Sequence, residues 1–335
     1  MTYVAQGAFA PLSRLETFAE TAEVDRPTLV LDIERVAEQY HALKLGLGFA
    51  HIHYAVKANP TREIIERLVA LGSHFDAASR AEIELCLSQG AAPETISFGN
   101  TIKKPSDIAF AHQAGVRLFA ADAEAVGLSF HVGSQTRRAD MWTGVLDHVA
   151  TIWDDLKARG YALTVLNIGG GFPAFYGEEI DTPTAYAAQV MDLVTARFGA
   201  VPYIMAEPGR GMVAEAGVIL AEVVLVSKKS EDDTHRWVYL DIGRFSGLAE
   251  TEGEAIRYQI TTPHDHEAFG PCILAGPSCD SADVLYEKRP VMLPLGLRSG
   301  DKVVICNAGA YTSSYSSVGF NGFPPLDVVV LPSPF

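Results

Sequence analysis

Lys57 ends an apolar segment in the sequence Tyr-Ala-Val-Lys-Ala-Asn, which predicts a β-strand over 52–57. Desolvation at such a position lowers the pKa of an amine, and a neutral amine can form an imine with a carbonyl compound. The alternative is a lysine whose ammonium reaches solvent at the rim of a sheet. The lysine alone leaves both interpretations open.

Three consecutive glycines, Gly169, Gly170 and Gly171, follow a second predicted strand in Ile-Gly-Gly-Gly-Phe-Pro. Such a loop can present backbone N–H groups to an anion, as phosphate sites do. The spacing is not GxGxxG and no Lys-Ser/Thr pair follows, so neither a dinucleotide-binding fold nor a P-loop is indicated. A tight turn at the strand end is an equally good interpretation.

Two further strand ends carry polar side chains. Glu207 and Arg210, in Ala-Glu-Pro-Gly-Arg-Gly, could form a structural ion pair, or Arg210 could bind a phosphate while Glu207 binds a protonated ring nitrogen. His131 and Ser134 follow another strand, in Ser-Phe-His-Val-Gly-Ser-Gln. A single histidine is more often structural than catalytic. Here, however, it shares its position with the lysine, the glycines and the Glu–Arg pair, and barrel enzymes build their active sites at strand ends.

The sequence Gly-Pro-Ser-Cys-Asp-Ser-Ala-Asp brings Cys279, Asp280 and Asp283 into one predicted loop. A small buried hydrophobe and turn-capping carboxylates are the alternatives to a functional role. His264 and His266 flank an aspartate in a proline-containing loop, but no third ligand accompanies them. We therefore expect no metal site.

These residues require a scaffold that brings strand ends together. Strands are predicted over 28–31, 52–57, 74–77, 96–99, 116–120, 128–132, 165–168 and 203–206. Helical stretches lie between them; in one, Ile64, Leu68 and Leu71 share a face and Gly72 ends the run. This alternation predicts a parallel sheet, and the number of units favours a closed (β/α) barrel over about 27–213.

After Gly211 the pattern changes to β-rich runs separated by turn clusters such as Lys-Lys-Ser-Glu-Asp-Asp. We therefore predict a second, antiparallel β domain over 214–335.

One connection is too short for the barrel. Only residues 121–127 separate the strands predicted at 116–120 and 128–132, whereas a parallel crossover needs about a dozen residues or more. Either these strands are not parallel neighbours, or residues are missing from the printed sequence.

The composition restricts the class of protein. The chain of 335 residues is 48% hydrophobic and 20% charged, which suits folded domains with sizeable cores. A formal net charge of −15 argues against binding along a nucleic acid. The four cysteines include no CxxC pair, and neither a signal peptide nor an apolar run of about 18 residues is present. We expect free thiols, no membrane partner and a cytoplasmic location.

Six motifs together resemble the fold-type III pyridoxal-phosphate decarboxylases, specifically the ornithine/lysine decarboxylase group. They are YAVKAN, SFHVGSQ, NIGGGFP, EPGR, GPSCDSAD and GAYTSSYSSVGFNGF, and they occur in order over nearly the entire chain. The resemblance implies an alanine-racemase-like (β/α) barrel, similar to a TIM barrel, plus a C-terminal antiparallel β domain to which residues 1–26 contribute. It also implies pyridoxal 5'-phosphate as the cofactor.

The resemblance assigns a role to each matching residue. Lys57 would form the imine with the cofactor, His131 would stack on its ring, Glu207 would hold the proton of the ring nitrogen, and Asp76 would help order the site. Cys279 would protonate the carbanion left after decarboxylation. The remaining assignments are the residues that would hold the cofactor, chiefly its phosphate (Ser134, Gly169, Gly170, Gly171, Gly209, Arg210 and Tyr311), and those that would hold the distal amine of the substrate (Asp241 and Asp280).

The family also implies a homodimer whose active sites are shared between subunits. The expected reaction is decarboxylation of L-ornithine to putrescine, or of L-lysine to cadaverine, in polyamine biosynthesis. Diaminopimelate decarboxylase is the nearest rival, although that enzyme typically has Glu where this chain has Asp280. Alanine racemase is disfavoured because Glu207 stands where it has an arginine. A catalytically impaired regulatory homologue is the alternative from another class.

The chain departs from the family at one point. After Arg-Leu-Phe-Ala-Ala-Asp-Ala-Glu-Ala the family continues for about forty residues, with a helix, a further strand that carries an arginine, and a flexible loop. Here the sequence runs from Ala125 directly into Val126. We favour a segment that is disordered and missing from the printed sequence, because every other motif is intact. The alternative is a true deletion, which would leave seven strands or an open barrel.

Overall fold

A computed structural model describes residues 13–120 and 126–332. The described chain forms two units, a barrel domain (33–120, 126–174 and 180–213) and a β domain (13–32, 175–179 and 214–332).

The strands, numbered along the chain, are β1 (Thr28–Leu31), β2 (His51–Ala55), β3 (His74–Ala77), β4 (Ile96–Phe98), β5 (Leu118–Phe119), β6 (Gly127–Ser129), β7 (Val165–Asn167), β8 (Tyr203–Ala206), β9 (Gly217–Ser227), β10 (Arg236–Leu240), β11 (Ile260–Thr261), β12 (Phe269–Ala275), β13 (Val284–Leu285), β14 (Val291–Pro294), β15 (Lys302–Ile305) and β16 (Asp327–Val330). The helices are α1 (Ser13–Thr21), α2 (Ile33–Leu47), α3 (Arg62–Ala70), α4 (Arg80–Ser88), α5 (Pro105–Gln113), α6 (Thr143–Ala158), α7 (Pro183–Phe198) and α8 (Arg210–Val213).

The barrel domain contains seven parallel strands in the order β5-β4-β3-β2-β8-β7-β6. Local sequence sets the helices between them. In α3, Ile64, Ile65 and Leu68 are buried at helical spacing. In α4, the Ser79 hydroxyl accepts the Glu82 N–H, and the Glu82 carboxylate accepts the Ala78 N–H at 2.6 Å. Because all seven strands run in one direction, their carboxyl ends lie on one side of the sheet.

The two strands on either side of the short connection noted in the sequence, β5 and β6, lie at the two edges of this sheet. Among the described residues, β5 pairs with β4 and β6 pairs with β7, so β5 and β6 are not neighbours. The printed sequence holds only residues 121–125 between the two described parts of this domain's sheet. The segment expected from the family is absent from that sequence, and the sheet remains open between β5 and β6 in its described part.

The β domain contains a nine-stranded mixed sheet. Its main order is β11-β15-β9-β10-β12-β13, with β1 between β9 and β16 and with β14 beside β12. Most pairs are antiparallel, as predicted, whereas β1 with β16 and β10 with β12 are parallel, so the sheet is mixed. The assignment of 28–31 to the barrel is also wrong, because β1 belongs to this sheet.

Within the described ranges, none of the helices has the length and apolar character needed to cross a bilayer. In the same ranges no group of three His, Cys, Asp or Glu side chains is arranged to hold a metal ion. Both ring nitrogens of His264 contact carboxylates instead, Glu267 at 2.9 Å and Asp301 at 3.0 Å. All four cysteines are free thiols.

Candidate active site

Lys57 lies at the carboxyl end of β2, on a 3-10 turn formed by Val56–Ala58 rather than on the strand itself. The residue is exposed, which agrees with the interpretation of a lysine that reaches solvent at the rim of the sheet. Burial raises the pKa of Asp76 and of Glu207, and the positive charge of Lys57 opposes both shifts. Burial lowers the pKa of His131, and the charge of Lys57 adds to that shift. Lys57 therefore acts electrostatically on three side chains that come from three different strand ends.

Asp76 and Glu207 form a pair of buried carboxyl groups. Burial raises the pKa of Asp76, and the charge of Glu207 raises it further, while the Ser97 hydroxyl donates to Asp76 Oδ1 at 3.3 Å. Burial also raises the pKa of Glu207. Because two carboxylates in one desolvated place disfavour double ionisation, the pair retains a proton to higher pH than ordinary carboxyl groups do.

Asn167 was not predicted from the sequence as a site residue, yet it connects two parts of the site. Its Nδ2 donates to Glu207 Oε1 at 2.6 Å, and its Oδ1 accepts the Gly169 N–H at 2.9 Å. The bond to the amide lowers the pKa of Glu207, in opposition to burial. The available signal was an amide placed two residues before the glycine run.

The glycine loop requires glycine for two physical reasons. Gly169 and Gly171 have φ values of +71° and +96°, which side chains rarely tolerate. A Cβ on Gly169 would also collide with the carbonyl oxygen of Phe130, and one on Gly171 would lie 2.5 Å from that of Gly133. The loop therefore lies closer to the neighbouring strand end than any larger residue would allow.

Arg210 begins α8 directly after Gly209 and is buried. Its Nη2 donates to Ser134 Oγ at 3.2 Å. Glu207 has a different partner, Asn167, so each member of the Glu–Arg pair has a contact of its own. Arginine, serine and exposed backbone amides are the donors that bind phosphate.

His131 follows β6, and its Nδ1 accepts the Gly133 N–H at 2.8 Å. Burial and the charge of Lys57 lower its pKa, so a neutral ring with its proton on Nε2 is favoured. A neutral imidazole suits stacking on an aromatic ring.

The remaining predicted residues belong to the β domain. Cys279 is exposed, and its N–H donates to Asn321 Oδ1 at 2.8 Å. Asp280 caps a turn through the Ala282 N–H at 2.8 Å. Asp241 Oδ1 accepts the Glu222 N–H at 2.8 Å, and burial raises the pKa of Asp241. Tyr311 has a positive φ of 54°. The alternative of a buried thiol at 279 is therefore wrong. Asp280 forms the turn-capping bond that the sequence offered as the alternative to a functional role.

Comparison with known proteins identifies the family. The sequence profile described as "Pyridoxal-dependent decarboxylase, pyridoxal binding domain" matches residues 33–125 and 120–214, which is more than half of the chain. The chain belongs to this family. The resemblance inferred from the six motifs is therefore confirmed. The two matched parts meet at 120–125, where the expected segment is absent.

Curated relatives of this pyridoxal-dependent decarboxylase extend over nearly its full length. It is similar to the lysine/ornithine decarboxylase of Selenomonas ruminantium, with 29% identity over 371 aligned positions that cover 93% of this chain and 91% of the relative. The alignment is longer than the chain itself, so the relative contains residues that are absent here. Antizyme inhibitor 2 of Xenopus laevis is 27% identical, over 88% of this chain and 78% of that protein.

Solved structures confirm the predicted fold class. The lysine/ornithine decarboxylase of Vibrio vulnificus complexed with cadaverine has a TM-score of 0.82 and 28% identity, and the match covers 95% of this chain and 97% of that one.

The residues present fit pyridoxal phosphate. The glycine loop, in which a Cβ would close the available space, lies beside the strand end that carries Ser134, the acceptor of the Arg210 bond. Glu207 is fixed by Asn167 and can face a ring nitrogen, while Lys57 provides an exposed amine near both carboxyl groups. The set provides a phosphate cradle, a carboxylate and an amine in one domain.

Proposed function

We propose that this chain is a carboxy-lyase that uses pyridoxal phosphate to decarboxylate basic L-amino acids, converting L-ornithine to putrescine and L-lysine to cadaverine. The observation that carries the proposal is the grouping of strand ends in the barrel domain: the charge of Lys57 acts on Asp76, His131 and Glu207. The glycine loop lies at the same place, because a Cβ on Gly170 would meet His131 Nε2 and the Glu207 carbonyl. The names of the Selenomonas and Vibrio relatives, and the cadaverine in the Vibrio structure, support the substrate class. Production of these diamines places the enzyme in polyamine biosynthesis.

Each residue of the barrel domain has a separate task. Lys57 would hold the cofactor covalently until the amine of the substrate displaces it, and His131 would cover one face of the ring. Glu207, oriented by Asn167, would keep the ring nitrogen protonated. The groups of this domain that would hold the phosphate and its surroundings are Ser134, Gly169, Gly170, Gly171, Gly209 and Arg210, and Tyr311 of the β domain would join them. When bound, the cofactor supplies the electron-withdrawing ring that stabilises the charge left at Cα as CO2 leaves.

The β domain would complete the reaction. Cys279 would deliver a proton from Sγ to Cα, and its exposure makes the thiol accessible for this task. Asp280 and Asp241 would bind the distal ammonium of the substrate, with Asp241 Oδ1 already engaged by the Glu222 N–H. In the homodimer that we propose, Cys279 and Asp280 of one protomer complete the site of the other. The free thiols support a reducing compartment, the cytoplasm.

Ornithine and lysine differ by one methylene, which a pocket distinguishes by only about 1–3 kcal/mol. We therefore expect both to react, with a preference for one. The test compares kcat/KM for ornithine, lysine, arginine and diaminopimelate with purified, cofactor-loaded protein. Release of CO2 from neither ornithine nor lysine would refute the proposed activity, and turnover of diaminopimelate alone would favour the rival decarboxylase.

A second candidate, a regulatory homologue that does not catalyse, is favoured by one observation. The chain lacks the segment between β5 and β6 in which the family has a further strand and an arginine, and antizyme inhibitor 2 is among its relatives. The two candidates differ in covalent cofactor binding. We expect a visible absorbance band that disappears in Lys57→Ala, and absence of the band from cofactor-supplied wild-type protein would favour the regulator.

A further inference from the structure

Asp283, just before β13, is a buried carboxylate that receives three hydrogen bonds; only 2% of the residue is exposed. Its Oδ1 accepts the Arg244 N–H at 2.7 Å. Its Oδ2 accepts the Ser278 N–H at 3.1 Å and the Ser278 hydroxyl at 2.6 Å. Burial of a carboxylate is costly unless its oxygens accept hydrogen bonds, as they do here. Hydrogen bonds to a charged acceptor are stronger than those to a neutral one.

Two glycines shape the space around this carboxylate. A Cβ at Gly243 would collide with Asp283 Oδ1, and a Cβ at Gly276 would collide with both Asp283 oxygens. The carboxylate therefore touches the backbone of two segments at once. Neither segment can move without displacing the carboxylate or breaking a hydrogen bond to it.

The first of these segments is the loop 276–283, which contains Cys279 and Asp280. Its base is closed by the Gly276 N–H, which donates to the Asp283 carbonyl at 2.9 Å, and by the Asp283 N–H, which donates to the Asp280 carbonyl at 3.1 Å. Ser278, which holds Asp283 Oδ2 through two groups, immediately precedes Cys279. The position of the Cys279 thiol therefore depends on the Asp283 carboxylate.

The second segment follows β10 and contains Asp241, three residues before Arg244. The Gly243 N–H donates to Ser246 Oγ at 2.8 Å, which begins the 3-10 helix Arg244–Ser246. Asp283 thus connects the segment of Asp241 with the loop of Cys279 and Asp280, although it has no contact role of its own in the proposed reaction.

We propose that Asp283 is the positioning residue of the β-domain half of the active site, fixing the Cys279 thiol and the Asp280 carboxylate relative to the segment of Asp241. The proposal rests on the proposed function, in which these three side chains meet the substrate. Proton transfer from Sγ to Cα requires a short, aligned approach, and a displacement of about 1 Å can cost a hundredfold in rate. The carboxylate maintains that alignment from within the domain.

The test compares Asp283→Asn with a matched control, Asp301→Asn. Asparagine at 283 has the shape of aspartate, but one of its two polar atoms is an NH2 group, which donates and cannot accept. At least one of the N–H or O–H donors that now bind Asp283 would therefore lose its acceptor. Asp301 is another aspartate of the β domain with backbone and side-chain donors, the Arg298 N–H at 2.8 Å and His264 at 3.0 Å, and it lies outside the loop. Both variants lose bonds to a carboxylate of the same domain.

Three readouts are measured on cofactor-loaded dimer: kcat and KM with ornithine and lysine, the rate at which iodoacetamide alkylates Cys279 as mapped by mass spectrometry, and cofactor affinity. For Asp283→Asn we expect kcat to fall about tenfold to a hundredfold, KM to rise severalfold and the alkylation rate to change severalfold. Cofactor affinity should remain within about twofold, because Lys57 and the glycine cradle belong to the barrel domain. Asp301→Asn should change each readout by less than about twofold.

Wild-type kcat and alkylation rate in Asp283→Asn would overturn the proposal, as would equal losses in Asp301→Asn. If Asp283→Asn does not fold, Ser278→Ala removes one bond to Oδ2 while the backbone bond remains, and an unchanged alkylation rate and kcat in that variant would also overturn it. If wild-type protein decarboxylates no basic amino acid, the proposed function fails. The alkylation rate still tests the positioning role in that case, because it requires no turnover.

Discussion

The side-chain amide of Asn167 donates to Glu207 Oε1 at 2.6 Å while its oxygen accepts the Gly169 N–H at 2.9 Å. One amide thus sets both the orientation of the carboxylate and the start of the glycine loop. The orientation of the amide requires Glu207 to act as an acceptor, as an ionised carboxylate does.

We predict that Asn167→Leu weakens cofactor binding. Without the donor, burial is opposed only by the charge of Lys57, so the pKa of Glu207 rises and its ion pair with the ring nitrogen is lost over a wider pH range. Loss of a bond to a charged acceptor is worth about 1.5–3 kcal/mol, so the Kd for pyridoxal phosphate should rise about tenfold or more near neutral pH and less at high pH. The measurement is a cofactor titration across pH.

The matched control for this experiment is Gln189→Leu. Gln189 Nε2 also donates to a carboxylate, Asp181 Oδ2 at 2.9 Å, but on the exposed surface of α7. The Kd of this variant should equal that of the wild type. An equal loss in both variants would show that Asn167 acts through general stability rather than through Glu207.

A second prediction concerns Gly171→Ala. The φ of Gly171 is +96°, and that of Gly160, outside the site, is +93°. Alanine at either position carries backbone strain of about 1–3 kcal/mol, measurable as a lower midpoint of thermal unfolding. Only at 171 does the added methyl group also meet a carbonyl, that of Gly133 at 2.5 Å, whereas nothing lies within 4 Å at 160.

Gly171→Ala should therefore lose cofactor affinity at least tenfold, and Gly160→Ala should retain it. Equal cofactor affinity in the two alanine variants would contradict the assignment of the glycine loop as the phosphate cradle. The comparison is informative because the backbone strain that arises from the positive φ is matched at the two positions.

The positions of the strands were predicted from the sequence more accurately than the strands with which they pair. The strands at 74–77 and 203–206 were predicted with the bounds that β3 and β8 have, because short apolar runs between turn residues determine them locally. The run 28–31 was also correctly predicted as a strand, but not its sheet. Its partners are 217–220 and 327–330, and nothing in the run itself distinguishes these from barrel strands.

The candidate site shows the same limit. Lys57, Glu207 and the glycines could be selected because their chemistry is unusual at strand ends. Asn167 carried only the weak signal of an amide two residues before the glycine run, since its role depends on Glu207, which lies forty residues further along the chain. Asp283 was noticed only as a member of its loop, because its bond to Arg244 spans 39 residues. Hydrogen bonds between distant segments require the fold before they can be seen.

A third prediction concerns acid stability. His53 is buried, with Nε2 2.9 Å from the Tyr203 hydroxyl, and burial followed by the charges of His74 and His51 lowers its pKa from 6.5 to about 3. The unfolded chain therefore takes up this proton first as the pH falls. Above about pH 6.5 the neutral ring has no effect on the pH dependence of stability. Between about pH 6.5 and pH 3 the free energy of unfolding falls by roughly 1.4 kcal/mol for each unit by which the pH is lowered.

Urea unfolding of wild type and His53→Gln between pH 7 and 4.5 measures the effect. Protonation of Asp76 and Glu207 acts in the opposite direction, because their raised pKa values favour the protonated folded state, so the difference between variants is the relevant quantity. We expect wild type to lose more stability than His53→Gln on acidification, and exposed His148→Gln to behave as wild type. Parallel curves for wild type and His53→Gln would exclude His53 as the cause.

The open side of the sheet leads to a fourth prediction. In the described chain β5 and β6 each have one partner, β4 and β7, whereas β2 lies between β3 and β8. Edge strands leave half of their N–H groups without a ladder bond and open at low free energy. Amides of Leu118, Phe119 and Leu128 should therefore exchange with deuterium at least tenfold faster than those of β2. Equal protection of the β5, β6 and β2 amides in the cofactor-loaded protein would contradict this prediction. It would mean that the edges of β5 and β6 are covered, so that the site is closed on the side where the family has its additional segment.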